Sequence, residues 1–120
     1  MRRVLAYPTG GNRLLKERIA AARERLEREP DSHWSVELFV TDNSDAARTE
    51  RFLLRARDMV PIEDVYVIPV LAGRRYRIRV TFGAYAARED ALEAARRLPP
   101  KYQRAFQLEP RTFMELRAEV

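Results

Sequence analysis

The sequence of 120 residues fits one domain with a modest core, and its 46% hydrophobic and 34% charged residues exclude an intrinsically disordered chain. No apolar run is long enough to cross a bilayer, no signal-peptide core follows Met1, and the absence of cysteine excludes disulfides and thiolate chemistry. The net charge of +5 would suit nucleic acid, but residues 1–33 carry +3 of it and residues 34–120 only +2. The larger part of the chain is therefore nearly balanced, which argues against nucleic acid as a partner.

The N-terminal quarter predicts a leader over residues 1–12, followed by a helix and turn over residues 13–33. Asn12 is the predicted N-cap of this helix, and Pro30 ends it. Its apolar positions fall on one stripe, which consists of Leu15, Ile19, Ala22 and Leu26. Such a stripe must pack on a surface, either its own domain or a second copy of the chain. The glutamates of the helix argue against an anionic membrane.

From Trp34 onwards, strands and helices alternate along the chain. The pattern predicts strands at residues 34–41, 63–71, 75–82 and 104–108, with helices from the capping residues 42–44 to about 59 and from 88 to 98. This order is that of the split β-α-β (βαββαβ) fold. We therefore predict an α+β, ferredoxin-like domain over residues 34–109, with a four-stranded antiparallel sheet and both helices on one face. Residues 110–120 are predicted to be a C-terminal tail, either helical or extended.

The third predicted strand carries a strict alternation of apolar and cationic residues. Tyr76, Ile78, Val80 and Phe82 would face the core, whereas Arg75, Arg77, Arg79 and Thr81 would lie on the open sheet face beside Glu37, Phe39 and Thr41 of the first strand. One interpretation is a solvated face in which Glu37 pairs with Arg77 or Arg79. The other is a polar platform with one aromatic ring, Phe39, that binds a sugar or a phosphate. An RRM-like RNA-binding sheet needs several outward aromatic rings, and only Phe39 is available.

The residue inventory argues against catalysis. The chain has one histidine, His33, which is predicted to be a turn residue, and it has no glycine-rich phosphate loop. No group of residues has the spacing of a metal site. The acidic pairs at residues 63–64 and 89–90 stand at the starts of a strand and a helix, where solvent and the helix dipole account for them. We therefore predict no enzyme, no cofactor and no metal.

Three short motifs resemble a known family. They are the first-strand sequence Trp34-Ser35-Val36-Glu37-Leu38, the third-strand sequence Tyr76-Arg77-Ile78-Arg79-Val80 leading into Phe82-Gly83-Ala84-Tyr85, and the helix start Ala87-Arg88-Glu89-Asp90-Ala91. With the order of elements, these motifs make residues 34–108 similar to the SPOR (sporulation-related repeat) domain of bacterial cell-envelope and cell-division proteins. The chain departs from the family pattern at Glu37, where glutamine is usual, and at Phe39-Val40, where a small Gly-Ser pair is usual.

The resemblance implies a domain that binds peptidoglycan, especially glycan strands stripped of their stem peptides, in the periplasm. Family members usually carry a transmembrane helix, so this chain would be an excised domain or a stand-alone variant, and a cytoplasmic location stays open. The candidate glycan contacts are Glu37, Phe39, Thr41, Arg77, Arg79 and Thr81. The alternative is a protein-interaction or assembly module, in which the stripe Leu15, Ile19, Ala22 and Leu26 contacts an envelope protein or a second copy.

Overall fold

The computed structural model describes Val4 and residues 6–120. The helices are α1 (Arg13–Arg28), α2 (Ala46–Ala56), α3 (Arg88–Arg97), α4 (Pro100–Ala105) and α5 (Phe113–Ala118), with a 3-10 turn at Ile62–Asp64. The strands are β1 (Trp34–Thr41), β2 (Val65–Ala72), β3 (Arg75–Tyr85) and β4 (Glu109–Thr112). They form one antiparallel sheet in the order β2-β3-β1-β4. The predicted ferredoxin-like α+β fold is confirmed.

The main core lies between the sheet and the helices α2 and α3. We call this side of the sheet the helix face. Its largest contributors are fully buried β-branched and leucine side chains, which suit a pleated surface packed on helices. They include Val36 and Leu38 of β1, Val65 and Val67 of β2, Ile78 and Val80 of β3, and Leu53 of α2. Tyr76 and Phe82 also pack on this core, as the alternation of the third strand predicted.

Helix α1 runs along the β2 edge of the sheet and contributes to two cores. Leu15 and Ile19 pack in the main core, whereas Ala22 and Leu26 join a second cluster on the opposite side. The buried guanidinium of Arg18 donates from Nε to the Val65 carbonyl oxygen at 2.8 Å and from Nη2 to the Glu63 carbonyl oxygen at 2.9 Å. The helix therefore covers an edge strand that would otherwise offer unpaired main-chain groups to another chain.

The N-terminus of α1 is closed by a side chain from another helix. Asn12 is the N-cap residue, as predicted, but its side-chain amide donates to the Thr9 carbonyl oxygen at 2.9 Å and caps nothing. The Glu50 carboxylate of α2 instead accepts from the main-chain nitrogen of Leu15 at 2.7 Å and, more distantly, from that of Leu14 at 3.4 Å. A carboxylate at this end satisfies free N–H groups and interacts favourably with the helix dipole. This contact ties α1 to the main core.

The second side of the sheet is closed by α1 and α5. We call this side the covered face. Tyr66, Ile68 and Val70 of β2 pack there under Ala22 and Leu26 of α1 and under Phe113 and Leu116 of α5. The expectation that this face would be open was wrong, because α5 adds an apolar face that sequence analysis left in an unassigned tail.

Helix α5 is held on the covered face by its own cap and by bonds to the turn after α1. Thr112 is its N-cap and accepts from the Glu115 main-chain nitrogen at 3.1 Å. Arg117 donates from Nη1 to the carbonyl oxygens of Leu26 and Glu29, both at 2.7 Å, and also pairs with the Asp31 carboxylate. The C-terminal helix is therefore anchored at several points.

The predicted fourth strand was misplaced. Residues 104–105 belong to α4, which begins with proline at its first turn, where the missing N–H costs nothing. The strand itself is Glu109–Thr112, after Leu108 has turned the chain with a left-handed φ of 55°. Leucine rarely adopts this conformation, so no local sequence signal marks the turn.

Candidate ligand-binding site

The six residues predicted to contact a ligand are divided between the two faces of the sheet. In the pairing of β1 with β3, Glu37 lies opposite Thr81 and Phe39 lies opposite Val80. β1 therefore advances two residues where β3 advances one, so Leu38 is the extra residue of a β-bulge. A one-residue bulge inverts the facing of every later side chain in the strand. The prediction that Phe39 and Thr41 lie beside Glu37 was wrong, because the bulge turns them onto the helix face.

A second bulge is located at Gly83, directly after the predicted end of the third strand at residue 82. Val36 pairs with Phe82, but Trp34 pairs with Tyr85, so β3 has the extra residue here. Gly83 has a φ of +74°, and a Cβ at this position would collide with the Tyr85 ring. The buried Ser35 hydroxyl donates to the Gly83 carbonyl oxygen at 2.7 Å. Glycine is therefore required to end the regular part of the central strand.

Three of the predicted contacts, Glu37, Arg79 and Thr81, lie on the covered face. Thr81 is 1% exposed, and the side chains of Glu37 and Arg79 are 13% and 12% exposed. Arg79 Nε lies 2.9 Å from Glu37 Oε1, and Arg79 Nη1 lies 2.9 Å from Glu119 Oε2 near the end of the chain. The predicted pairing of Glu37 with an arginine of β3 is therefore confirmed for Arg79, but under a cover and not in solvent.

Arg111 of β4 completes this charged cluster. It lies 2.7 Å from Glu109 and 3.5 Å from Glu37. Burial alone would lower the pKa of Arg111, but the carboxylates of Glu37, Glu109 and Glu115 outweigh it and raise the pKa. Three buried atoms of the cluster, Glu37 Oε1, Arg79 Nε and Arg111 Nε, have no aligned hydrogen bond. These three atoms therefore interact through charge, whereas the terminal nitrogens of Arg79 and Arg111 donate hydrogen bonds to Glu119, Glu37 and Glu109.

Arg77 is an accessible cation of β3, in contrast to the mostly buried Arg79. Its side chain is 52% exposed, and its partner is the solvent-exposed Asp42 carboxylate, 2.8 Å from Nε. An exposed pair of this kind is weak and exchanges readily with another anion. Arg77 therefore differs from Arg79, two residues away on the same strand face.

The other two predicted contacts line a groove on the helix face. The groove has a volume of about 410 Å³ and lies between the end of β1, helix α2 and helix α4. We call it the aromatic groove. Its lining residues include Phe39, Thr41, Asn43, Arg48, Phe52, Arg55 and Phe106. None of the residues that line it is acidic.

Three half-buried phenylalanine rings form the floor of the aromatic groove. The Phe39 ring lies 5.0 Å from that of Phe52 with planes at 81°, and 5.2 Å from that of Phe106 with planes at 34°. Buried Tyr102 supports them from α4, with its ring 5.3 Å from that of Phe106. Burial raises the pKa of Tyr102, and nearby Arg55 counteracts part of this rise. The floor is therefore a packed aromatic cluster with one side open.

Two cations, Arg48 and Arg55, line the groove without carboxylate partners. Both are exposed, and neither has an acidic side chain within ion-pair distance anywhere in Val4 and residues 6–120. Neither was among the contacts predicted from the sequence. The signal was present, because positions 48, 52 and 55 share one side of a helix.

The stripe predicted for assembly is buried inside the chain. Leu15, Ile19, Ala22 and Leu26 are at most 3% exposed. The helix is thus docked on its own domain, which was one of the two predicted outcomes.

His33 lies in the turn after α1, where Nδ1 is 2.7 Å from a Glu29 carboxylate oxygen. Within the part of the chain that the structure describes, no three His, Cys, Asp or Glu residues are grouped as metal ligands. No helix there combines the length and apolarity that a membrane span requires.

The family model of the SPOR domain matches residues 30–109, two thirds of the chain. The chain belongs to the SPOR domain family. SPOR domains are peptidoglycan-binding modules of the bacterial cell envelope and cell division, so the predicted resemblance is confirmed. A search of the curated proteins gave no match to this chain.

The two helices that close the covered face of this SPOR domain lie outside the matched residues. Helix α1 ends at Arg28, before the match begins, and α5 starts at Phe113, after the match ends. The match therefore comprises β1 to β3, α2 to α4 and the first residue of β4. What closes the sheet is added by the flanking segments.

Proposed function

We propose that this SPOR domain binds the glycan strands of peptidoglycan in the periplasm without acting on them. The observation that carries the proposal is the family match, which covers three of the four strands and the helices α2, α3 and α4. The family is one of peptidoglycan-binding modules, and the glycan strand is the part of peptidoglycan that the resemblance implied.

Of the six contacts proposed from the sequence, Phe39, Thr41 and Arg77 are accessible to a ligand. Phe39 and Thr41 line the aromatic groove, and Arg77 is half-exposed. Glu37, Arg79 and Thr81 are mostly buried on the covered face, where Glu37 and Arg79 pair with each other. Movement of α5 away from this face would expose the buried side chains of Phe113 and Leu116 to water, at a cost of about 1.5–3 kcal/mol each.

A pull-down with purified sacculi tests the function. We expect the full chain to co-sediment with sacculi that an amidase has stripped of stem peptides, and to do so more weakly with untreated sacculi. A control protein of similar size and charge should stay in the supernatant with both. If the full chain also stays in the supernatant with both, peptidoglycan glycan is not its ligand.

An assembly function through the α1 stripe has no support in the fold, because the stripe residues already fill the two cores. Sedimentation velocity of the full chain over a wide concentration range would detect self-association through any other surface.

A further inference from the structure

We infer that the aromatic groove, and not the sheet face, holds the ligand, and that it selects a sugar chain carrying carboxylates. This inference rests on the proposed function and assigns it to residues that the sequence pattern did not indicate. Three features of the groove support it: an aromatic floor, two cations without partners, and a neutral polar rim.

The floor suits the apolar face of a sugar ring. The rings of Phe39, Phe52 and Phe106 pack edge-to-face or tilted, and each is half-buried. They therefore keep a fixed arrangement while part of each ring stays open. A volume of about 410 Å³ is within the usual range of small-ligand sites, which combine aromatic walls with a few polar groups.

The cations add the preference for carboxylates. Removal of a stem peptide from an N-acetylmuramic acid residue leaves its lactyl carboxylate free, so a stripped strand carries one negative charge per disaccharide. Arginine is the side chain best suited to a carboxylate, since its guanidinium can donate two parallel hydrogen bonds. Arg48 and Arg55 are exposed and, within the described residues, not already engaged by an acid.

The rim offers hydrogen-bond donors for hydroxyl and acetamido groups. Thr41 Oγ1 accepts from the Asn43 main-chain nitrogen at 3.1 Å, and Asn43 Oδ1 accepts from the Asp45 main-chain nitrogen at 3.1 Å. Both acceptor atoms are thus used to shape the turn after β1. The threonine hydroxyl proton and the asparagine NH₂ group stay available as donors.

The charge distribution favours a glycan over nucleic acid. The three phenylalanine rings pack against one another, which leaves no isolated ring on which successive bases could stack. Residues 34–120 together carry only +2, so a polyphosphate chain would find little charge beyond the groove. One carboxylate per disaccharide is matched by two arginines.

The test compares two double variants of α2 and its C-cap residue Arg57. Soluble glycan strands released from sacculi by an amidase are titrated into the full chain, and binding is measured by calorimetry. We expect Arg48→Ala/Arg55→Ala to weaken binding at least about tenfold, since each arginine contributes a charge-assisted hydrogen bond. The control Arg51→Ala/Arg57→Ala removes the same charge from exposed positions of the same segment outside the groove, and should bind within about twofold of wild type.

Further measurements test separately whether the ligand binds in the groove and whether the domain binds glycan strands at all. Chito-oligosaccharides lack the lactyl carboxylate, so they should bind the wild type more weakly and be insensitive to the arginine variants. Normal strand binding by the groove variant, with loss in Arg77→Ala, would overturn the inference and leave the proposed function standing. Equal competition by poly-glutamate or single-stranded DNA would overturn the selectivity for sugar. Absence of strand binding by the wild type would refute the function and the inference together.

Discussion

The covered face and the aromatic groove both include residues of β1, and both contain arginines. The arginines of the covered face have carboxylate partners, whereas those of the groove have none in the part of the chain that the structure describes. On the covered face, Arg79 and Arg111 are mostly buried and lie against carboxylates from β1, β4 and the chain end. In the groove, Arg48 and Arg55 are exposed and have no acidic neighbours among the described residues. The number of arginines on a surface therefore says little about binding. What matters is whether the rest of the chain supplies their counter-charges.

The difference also shows how a binding face can be closed by remote segments. Residues 13–28 and 113–118 are far apart in sequence, yet together they bury Tyr66, Ile68 and Val70 on the covered face. The groove has no such neighbours, because its walls come from three consecutive elements of the matched region and from α4. A surface built from the family core alone stays accessible in this chain.

The largest effect on stability should come from truncating the side chain that anchors α5 to the covered face. Phe113, the first residue of α5, is 2% exposed, and we expect Phe113→Ala to lower the free energy of unfolding by about 3–5 kcal/mol. Met114, the next residue, is 58% exposed, and Met114→Ala should change it by no more than about 0.5 kcal/mol. Urea unfolding followed by circular dichroism measures both. Equal, small losses in the two variants would mean that α5 does not cover the sheet.

A smaller effect should distinguish two arginines of β3, Arg77 and Arg79. Arg79→Ala leaves the mostly buried Glu37 with only Arg111, 3.5 Å away, and we expect a loss of about 2–3 kcal/mol in unfolding free energy. Arg77→Ala breaks only an exposed pair with Asp42 and should cost no more than about 0.5 kcal/mol.

A double-mutant cycle with Glu37→Gln checks the assignment of this loss. The two changes Arg79→Ala and Glu37→Gln should be non-additive, whereas Arg77→Ala and Glu37→Gln should be additive within about 0.5 kcal/mol. Additivity of Arg79→Ala with Glu37→Gln would contradict the ion pair as the source of the effect.

Most of the fold could be predicted from the periodicity of apolar residues and from the glycine, proline and capping residues at the ends of helices and strands. The alternation in the third strand, the break at Gly83 and the two helices before and after the central hairpin follow directly from local sequence. Pro69, which has no main-chain N–H to donate, lies in β2, and β2 is an edge strand. These features depend on residues close together in the chain, where local rules hold.

The site could be predicted only in part, because it depends on the bulge at Leu38 in β1 and on helix α5, which is distant in sequence. The apolar run Leu38-Phe39-Val40 interrupts the alternation of β1, and this was the available sign of the bulge that turns Phe39 around. The spacing of Phe113, Leu116 and Val120 predicts an apolar helix stripe, but nothing local indicates that it lies on the sheet. The facing of a strand and the covering of a face are both settled by tertiary contacts.

The smallest effect should be a pH dependence of the unfolding free energy that arises at Glu29, where α1 meets α5. Glu29 lies where α1 ends, and its main-chain carbonyl oxygen accepts from Arg117 of α5. Burial alone would raise the pKa of the Glu29 carboxyl, but hydrogen bonds from Arg25 and His33 outweigh it and lower the pKa below its ordinary value of 4.5. A lowered pKa means that the ionised carboxylate stabilises the fold above about pH 4.5, and that this contribution fades as the pH falls through the folded-state pKa.

Wild type should therefore be more stable than Glu29→Gln at pH 6, and the difference should shrink as the pH is lowered towards 3. Urea unfolding at intervals of half a pH unit measures it. The groove has no acidic lining residue, so Arg48→Ala/Arg55→Ala should leave the same difference unchanged at every pH. A difference that grew on acidification would mean that Glu29 is destabilised as an anion, and that the bonds from Arg25 and His33 do not secure the junction between α1 and α5.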